Sequence, residues 1–307
     1  MKVYYHKTAG GNVGDDMNAV LWQRIVPGLE ELTPAEWLVG AGTIIDLRLN
    51  ALPGRKIVMG SGFRWGAGQD FLRDDIHFAA VRGFGTAECC GLAPEFAVCD
   101  PGFLVSRVWP MARAPAGPVA FIPHIYSEQY SQIAVRAADT NFKVISPTLP
   151  LEEFLRQLAG CSRAYCESLH GAIFADALRV PWARVRICSH FYEGRGVSDF
   201  KWTDTFAVLG LTATSAIRET LIPMKRSWPL IRDVMRPLQS IAEKRLLGAL
   251  AQRRDDTAVF QLSDPARLQE RVDELMLRVA QLCSDDRLDK WSAAPGARRR
   301  TAAQHAQ

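Results

Sequence analysis

The sequence places groups that can transfer protons and bind anions in two short glycine-containing segments. One is GGNVGDDMN at residues 10–18, where Asn12, Asp15 and Asp16 lie between an apolar run and a helical pattern. The other is SLHG at residues 168–171, which also separates an apolar run from an amphipathic pattern. Backbone N–H groups at the start of a helix attract anions, and histidine titrates near neutral pH. Both segments are therefore candidates for a site that handles a phosphate or a carboxylate.

Each of these residues also has a structural interpretation, and the residues alone leave the choice open. Asp15 or Asp16 would serve equally well as a cap for the following helix, and the two acids can divide the roles. The free N–H groups of that helix would receive an anion or a sugar hydroxyl. Ser168 is a good N-cap for the second helix. His170 is then either a proton donor and acceptor or a satisfied, non-catalytic histidine.

Two further candidates stand at the ends of apolar runs. Arg82 lies in the run at residues 78–83, where a lone arginine is costly unless it is paired or directed at an anion. Its planar fork suits a carboxylate or a phosphate, and a salt bridge to Asp100 or another acid is the alternative. His124 ends the run at residues 119–124 behind a proline, where it can face a cleft.

Strands and helices must hold these groups, and the chain alternates the two patterns. The apolar runs are compact and several end in glycine, as buried parallel strands do where a loop passes close to a ligand. Strands separated by helices predict βαβ units. The predicted strands are residues 2–7, 37–45, 56–63, 78–83, 95–102, 119–124, 143–147, 163–168 and 182–187, and the predicted helices are 15–25, 127–139, 150–161 and 170–179.

The domain organisation follows from a proline-rich break. The stretch SRVWPMARAPAGP at residues 106–118 has three prolines and no periodicity, which predicts a linker. We therefore predict an α/β protein with two doubly wound, Rossmann-like domains, at residues 1–110 and 111–222. A helical segment at 223–290 and a disordered tail at 291–307 complete the prediction. The carboxyl ends of both sets of strands would face one cleft, where function should collect.

Composition excludes several classes of protein. The 307 residues are 48% hydrophobic and 23% charged, which is typical of a soluble globular chain. The net charge is +4, but no basic stripe with interleaved aromatic residues indicates nucleic-acid binding. The chain starts without a signal-peptide core, and no apolar run approaches the roughly 20 residues that span a bilayer, so we expect a cytoplasmic protein. Seven cysteines without C-x-x-C spacing predict buried thiols, and no cluster suggests a metal.

The order of the motifs carries a resemblance to a known family. GNVGDDMN, GSGF, VRG, CDPG, IPH, ISP and SLHGAIFADALRVPW together resemble the polysaccharide pyruvyltransferase family over roughly residues 2–190. Within that family the chain is similar to the ketal pyruvyltransferases of bacterial exopolysaccharide synthesis. The resemblance implies a two-domain arrangement similar to GT-B glycosyltransferases, phosphoenolpyruvate as the donor and a lipid-linked sugar as the acceptor. We expect neither a metal nor a cofactor.

The resemblance also implies roles for the matching residues. The expected site residues are, for catalysis, His170 and Asp15; for donor binding, Arg82, His124, Ser168 and Leu169; and for the acceptor side, Asn12 and Asp16. A protonated imidazole would supply the proton that the donor's methylene carbon needs, and Asp15 would take the proton of the sugar hydroxyl. Many relatives carry arginine at the position of Ser168. The missing charge is expected from Arg184 or Arg186, which share one face of a strand.

Other functions and contacts stay open. A nucleotide-sugar-dependent glycosyltransferase of the same plan is the alternative activity. A non-catalytic relative that binds a glycan gains some weight from Ser168, whereas the joint presence of GNVGDD, Arg82 and His170 counts against it. A nicotinamide oxidoreductase is excluded because the G-x-G-x-x-G spacing is absent. Acceptor contacts are expected from the loops RWGAGQDFLRDD at residues 64–75 and SHFYEGRGVSDFKW at 189–202.

The basic C-terminal helices have two interpretations. One is contact with anionic headgroups at the inner face of the membrane, and the other is a solvated helical face. The basic residues concerned are Arg226, Arg232, Arg236, Lys244 and Arg245.

Overall fold

A computed structural model describes residues 1–68, 72–187, 193–212, 215–218, 229–283 and 292–293 of the chain. Within these ranges two sheets of mainly parallel strands alternate with helices, so the predicted α/β class is confirmed. None of the helices in the described ranges is both long enough and apolar enough to cross a bilayer.

The first sheet adds its parallel strands in chain order. Its strands are β1 (Lys2–Tyr4), β2 (Trp37–Val39), β3 (Thr43–Ile45), β4 (Lys56–Phe63) and β5 (Ile76–Val81). β1, β2, β4 and β5 are neighbours in that order, and β3 pairs with the carboxyl end of β4. Because each connection leads to the next strand on the same side, the order of these strands never reverses. The prediction of a doubly wound sheet is therefore wrong for this half.

The second sheet is doubly wound, as predicted. Its strands are β6 (Val119–Ile122), β7 (Lys143–Val144), β8 (Arg163–Cys166), β9 (Trp182–Arg186) and β10 (Ser215–Arg218). They pair in the order β10-β9-β8-β6-β7, all parallel. The chain moves from β6 to one side and then returns to the other side through β8. A crevice therefore opens between the carboxyl ends of β6 and β8, where α/β sheets bind ligands.

Helices cover the sheets and connect their strands. They are α1 (Val13–Ile25), α2 (Leu29–Leu32), α3 (Phe84–Cys89), α4 (Val105–Val108), α5 (Ile125–Tyr130), α6 (Ile133–Ala138), α7 (Leu151–Ala159), α8 (Leu169–Ala177), α9 (Arg195–Ala207), α10 (Pro229–Gln252) and α11 (Pro265–Ala280). The start of α8 packs against the start of α1, so an element of the second half contacts one of the first.

The C-terminal helices divide between the two sheets. Leu246, Leu247 and Leu250 of α10 are buried in the core of the second sheet. Leu268, Val272, Leu275 and Val279 of α11 recur with helical spacing and are buried where α11 packs on β4 and β5. The strand β11 (Ser292–Ala293), in the segment predicted as a tail, pairs antiparallel with β5. The other residues of 291–307 lie outside the described ranges.

Three predicted elements differ in the structure. Residues 95–102 form two 3₁₀ turns and only a single bridge from Ala97 to Val81, because Pro94 and Pro101 have no N–H to donate to a ladder. The predicted strand 37–45 divides into β2 and β3 around Gly42, whose φ is +126°.

The predicted helix 127–139 divides into α5 and α6 because Ser131 is extended. The Ser131 hydroxyl donates to the carbonyl of Ser127 and accepts from the N–H of Ile133. The predicted linker corresponds in part to residues 109–118, which form no helix or strand. The domain limits at 110 and 222 stay a prediction.

The structure also places the cysteines and the basic residues of the C-terminal helices. Among the described residues the thiols are free, and all but the half-buried Cys89 are buried; these are Cys89, Cys90, Cys99, Cys161 and Cys166. Of the basic residues considered for membrane contact, Arg226 lies outside the described ranges and Arg232 lies on α10. Arg236, Lys244 and Arg245 are exposed on α10.

Candidate active site

A cavity of about 250 Å³ lies where the carboxyl ends of the strands in both sheets meet. Its volume is near the lower limit of small-molecule sites, which begin at roughly 300 Å³. His6, Thr43 and Arg82 line it from the first half of the chain, and His124 and Ser168 from the second. The cavity therefore occupies the predicted cleft. It brings together seven of the predicted site residues, Asn12, Asp15, Arg82, His124, Ser168, Leu169 and His170, whereas Asp16 is not among its lining residues.

The start of α1 shows how the two acids divide their roles. Asn12 is the N-cap, and its side-chain oxygen accepts from the N–H of Gly14 at 3.3 Å. Asp16 accepts the backbone N–H of Asn12 at 2.7 Å, which makes it a capping residue. The N–H of Val13 donates to the carbonyl of Pro147 at 2.7 Å, and the N–H of Asp15 to that of Asn12. Since these donors are already used, the prediction that they receive an anion or a hydroxyl is wrong.

Asp15 is the acid of this pair that lines the cavity. It is buried, and Asn12 Nδ2 donates to its Oδ2 at 2.8 Å. Burial, and then the charge of Asp16, raises the pKa of Asp15 to about 7, although Lys201 and Asn12 act in the opposite direction. A carboxyl group with this pKa exchanges a proton at neutral pH, which is what a general acid or base requires.

The start of α8 also lines the cavity. Ser168 is the N-cap, as predicted, and its Oγ accepts from the N–H of Gly171 at 3.4 Å. In the described part of the chain, the backbone N–H groups of Leu169 and His170 form no hydrogen bond. Because Ser168 follows β8 and Leu169 also lines the cavity, these two donors lie at the switch point of the second sheet.

His170 lies where the two helices meet. Gly14 permits this approach, since a side chain at position 14 would overlap the imidazole. Nε2 of His170 is buried without a hydrogen-bond partner among the described residues, and it is 3.8 Å from Oδ1 of Asp100. Burial, followed by the charges of Lys201 and Arg82, lowers the pKa of His170 to about 3. The expected protonated imidazole is therefore not the form of His170 in the free protein at neutral pH.

Asp100 is a buried carboxyl group close to His170. Its Oδ1 accepts from the N–H of Gly102 at 2.9 Å, as the cap of the turn Pro101–Leu104. Burial raises the pKa of Asp100 to about 6, while the charge of Arg82 opposes the rise. Its Oδ2 has no hydrogen-bond partner in the described chain. Sequence reasoning considered Asp100 only as a partner for Arg82.

Arg82 is buried at the end of β5, and its acid partner is Asp204 rather than Asp100. Nε donates to Oδ2 of Asp204 at 3.1 Å, and Nη1 donates to the hydroxyl of Thr43 at 2.9 Å. Nη2 has no hydrogen-bond partner among the described residues. Gly62 leaves room for the guanidinium, because a Cβ at that position would overlap it. The interpretation of Arg82 as a paired arginine is thus confirmed, with Asp204 as the acid, and its role toward an anion stays a prediction.

His124 caps α5 and holds an acid at the cavity wall. Its Nδ1 accepts from the N–H of Tyr126 at 3.3 Å, so the hydrogen is on Nε2, which lies 3.3 Å from Oε1 of Glu193. The same oxygen accepts from Nζ of Lys201. Burial alone would raise the pKa of Glu193, but Lys201 and His124 outweigh it and the net pKa is lowered.

The two arginines expected to replace the charge missing at Ser168 lie elsewhere. Arg184 and Arg186 share one face of β9, as predicted, and both pair with Asp199 on α9. Neither is among the residues that line the cavity, whereas Lys201 is. Lys201 and Asp204 belong to a segment that we predicted to be partly an acceptor loop, but α9 begins at Arg195. The helical spacing of Ser198, Trp202 and Thr205, all buried, is the signal that could have identified this helix from the sequence.

Three more of the lining residues come from the first half of the chain. Arg48 is one of them, and its guanidinium donates from Nη2 to Asp46 at 2.6 Å. Arg64 lies 3.9 Å from the same carboxylate and is largely exposed. His6 is the third, with its Nδ1 3.5 Å from Nη1 of Arg48. Both arginines of this group therefore lie close to the carboxylate of Asp46.

Comparison with known proteins gives two matches. Residues 37–189 match the family model described as Polysaccharide pyruvyl transferase. Over 260 residues the chain is 32% identical to the Succinoglycan biosynthesis protein ExoV of Rhizobium meliloti, a similarity that covers 82% of this chain and 80% of that protein. No solved structure matches the chain. The range of the family model contains Arg82, His124, Ser168, Leu169 and His170, whereas Asn12, Asp15 and Lys201 lie outside it.

Proposed function

Because this chain belongs to the polysaccharide pyruvyl transferase family and is therefore a transferase, we propose that its donor is phosphoenolpyruvate. The acceptor is a sugar of a lipid-linked exopolysaccharide repeat unit, and the product is a pyruvate ketal with release of phosphate. The name of the relative from Rhizobium meliloti, a succinoglycan biosynthesis protein, supports an exopolysaccharide as the polymer.

The observation that carries this proposal is the set of groups that meet in one cavity. Arg82 brings a buried guanidinium nitrogen without a partner in the described chain, and Leu169 and His170 bring backbone N–H groups at a helix start. These donors suit the carboxylate and the phosphate of a small enol ester. Asp15 and His170 provide proton-transferring groups in the same cavity.

The reaction balances with the donor and two sugar hydroxyls alone. A proton adds to the methylene carbon of phosphoenolpyruvate, which becomes a methyl group, and C2 becomes cation-like. The first hydroxyl attacks C2 and loses its proton, the C2–O bond to phosphate breaks, and the second hydroxyl closes the ring and loses its proton. One of the two hydroxyl protons replaces the proton used at the methylene carbon, and the other leaves with the phosphate. No metal or cofactor is needed in this scheme.

Asp15 and His170 divide the proton transfers. With a pKa of about 7, Asp15 is the base that receives the hydroxyl proton. His170 is neutral in the free protein because burial and two cations oppose its charge. A bound trianion offsets those cations, so the proton that His170 delivers to the methylene carbon enters together with the donor. Oδ1 of Asp100 lies 3.8 Å from Nε2 of His170. Once Asp100 is ionised, its negative charge favours the imidazolium form of His170.

The predicted site residues take these places. Arg82, Leu169 and His170 bind or act on the donor, and Ser168 and His124 hold the backbone that presents it. Asn12 orients Asp15 on the acceptor side, and Asp16 acts there by capping α1. We interpret the two sheets with a cavity between them as a GT-B-like arrangement.

A lipid-linked acceptor would bring the enzyme to the inner face of the membrane. Exposed Val234, Leu238 and Ile241 recur on α10 with helical spacing, and exposed Lys244 and Arg245 follow them. This face combines apolar and basic side chains, as interfacial helices do. Sedimentation with vesicles tests this location: binding should require anionic lipid and fall when Leu238 is changed to Glu. Equal binding without anionic lipid contradicts it.

The function itself is tested by turnover. The full-length protein is incubated with phosphoenolpyruvate and a lipid-linked oligosaccharide extract, and phosphate release is followed together with the mass gain of one pyruvyl group. We expect Arg82→Ala and His170→Ala to lower turnover by about 10²-fold or more and to remain folded. Arg107→Ala is the matched control, since Arg107 pairs with exposed Asp273 away from the cavity. Consumption of a nucleotide sugar instead would indicate a glycosyltransferase, and glycan binding without turnover a non-catalytic relative.

A further inference from the structure

We propose that Lys201 binds the anionic donor together with Arg82, and that Glu193 holds Lys201 in place until the donor arrives. This inference rests on the proposed function, because it takes phosphoenolpyruvate as the ligand. It assigns a binding residue to α9, a helix that neither the matched family range nor the sequence motifs include.

Lys201 lies on the face of α9 that lines the cavity. Val197 and Lys201 both line the cavity, and Asp204, one turn further, pairs with Arg82. These three residues follow the i, i+4, i+7 spacing of one helical face. One helix therefore fixes the guanidinium of Arg82 through Asp204 and presents the ammonium of Lys201 beside it. Lys201 is 8% exposed, so its charge is little screened by solvent.

The donor needs more positive charge than Arg82 supplies. Phosphoenolpyruvate carries a carboxylate and a phosphate, whereas Arg82 is already paired with Asp204 and has one nitrogen, Nη2, without a partner in the described chain. Ser168 adds a hydroxyl that is used as a cap, and no charge. Among the described lining residues, the other cations are Arg48 and Arg64, and both already face the carboxylate of Asp46. Lys201 is therefore the cation placed to meet the second anionic group.

The charge of Lys201 shifts the pKa values of both groups that are assigned to proton transfer. It lowers the pKa of His170, second only to burial, and it opposes the rise in the pKa of Asp15. Both effects decay with distance, which is consistent with an ammonium close to the reacting centre. These two pKa effects agree with the position of Lys201 at the cavity wall. They also imply that a donor bound to Lys201 would offset its charge and make His170 easier to protonate.

Glu193 keeps a second partner for its carboxylate when Lys201 turns away from it. Its Oε1 accepts from Nζ of Lys201 and also lies 3.3 Å from Nε2 of His124. When the ammonium turns to the donor, the carboxylate keeps the imidazole as a partner. A lysine ammonium has three donors on a flexible stem, so a small rotation is sufficient for the exchange. Glu193 thus competes with the donor for Lys201.

Calorimetric titration of the full-length protein with phosphoenolpyruvate tests the exchange. Lys201→Met should weaken binding by about 10- to 100-fold, the usual range for a hydrogen bond to a charged group, and Lys201→Arg should restore most of it. Glu193→Gln should strengthen binding by about 3- to 10-fold, because it removes a competitor for the ammonium. Lys143→Met is the matched control, since it removes the same charge from an exposed position on β7, away from the residues that line the cavity.

The opposite signs separate a binding role from a structural one. If the ion pair only held α9 in place, Lys201→Met and Glu193→Gln would weaken binding alike, and that result overturns the proposal. Unchanged affinity in Lys201→Met overturns it too, while wild-type binding of phosphoenolpyruvate leaves the proposed function standing. If the wild type binds no phosphoenolpyruvate and releases no phosphate, the proposed function fails and this inference with it. Thermal unfolding identifies a variant that is misfolded, in which case Glu193→Gln alone decides.

Discussion

Replacement of Gly14 by alanine should disable the site through a single methyl group. A Cβ at position 14 would stand 2.0 Å from Nδ1 of His170, whereas ordinary van der Waals contact begins at 3.4 Å. The imidazole would have to withdraw by about 1.4 Å, and a misplacement of about 1 Å typically costs about 10²-fold in rate. We therefore expect kcat/KM for phosphate release to fall by about 10²-fold or more in Gly14→Ala.

The same substitution should not unfold the protein. Alanine favours a helix over glycine by about 0.5–1 kcal/mol, and overpacking in a well-packed region costs about 1–3 kcal/mol. The net loss of unfolding free energy should thus be about 0–2.5 kcal/mol, measured by urea denaturation. Gly248→Ala is the matched control, because Gly248 lies within α10 and a Cβ there meets no atom within 4 Å. It should keep full activity.

A double-mutant cycle shows whether the methyl group acts through the imidazole. If it does, Gly14→Ala should reduce the residual activity of His170→Ala very little, since the group that it displaces is gone. Wild-type kcat/KM in Gly14→Ala would refute the position of His170 on which the site is built. Full additivity of the two substitutions would refute the mechanism of the effect.

Four further predictions concern the carboxyl groups of the site. As the base, Asp15 must be ionised, so at saturating phosphoenolpyruvate, where His170 has taken up its proton with the donor, kcat should rise with pH as Asp15 ionises, near its free-protein pKa of about 7. Asp15→Asn should remove this rise and lower kcat by about 10²- to 10⁴-fold, and a pH-independent kcat in the wild type contradicts the assignment. The folded-state pKa of Asp15 lies above its ordinary value of 3.8. The stability that its protonated form contributes is therefore complete below pH 3.8 and is lost as the pH rises through about 7. Over this window the unfolding free energy of Asp15→Asn relative to wild type should increase. Asp16→Ala should instead lower the unfolding free energy by about 1 kcal/mol with kcat within a few-fold of wild type, because Asp16 caps α1; a loss of kcat as large as that of Asp15→Asn would show that its role is chemical. Asp204→Asn should raise the KM for phosphoenolpyruvate more than it lowers kcat, since Asp204 orients Arg82, and an unchanged KM would argue against that role.

Local sequence patterns were sufficient to predict the helices and strands that hold the candidate site residues. A strand followed by a capping residue and a helix predicts where α1 and α8 begin, because propensity and capping act within a few residues. Ser168 is therefore the N-cap that the sequence indicates, and His170 lies in the first turn behind it. Buried apolar runs likewise identified most strands of both sheets, although Pro94 and Pro101 ended the pairing that the run at 95–102 predicted.

The sequence by itself determined the α/β class, the motif order and seven residues that meet in the cavity, because these depend on short-range periodicity and on residue type. Only the tertiary structure decided which partners they have. The pairing of Arg82 with Asp204, 122 positions away, and the approach of His170 to Gly14 depend on how the two halves pack. So do the burial that brings the pKa of Asp15 to about 7 and that of His170 to about 3, and the place of Lys201 at the cavity wall. Charge and burial act through space, and the spacing of residues along a chain does not give their distances in the fold.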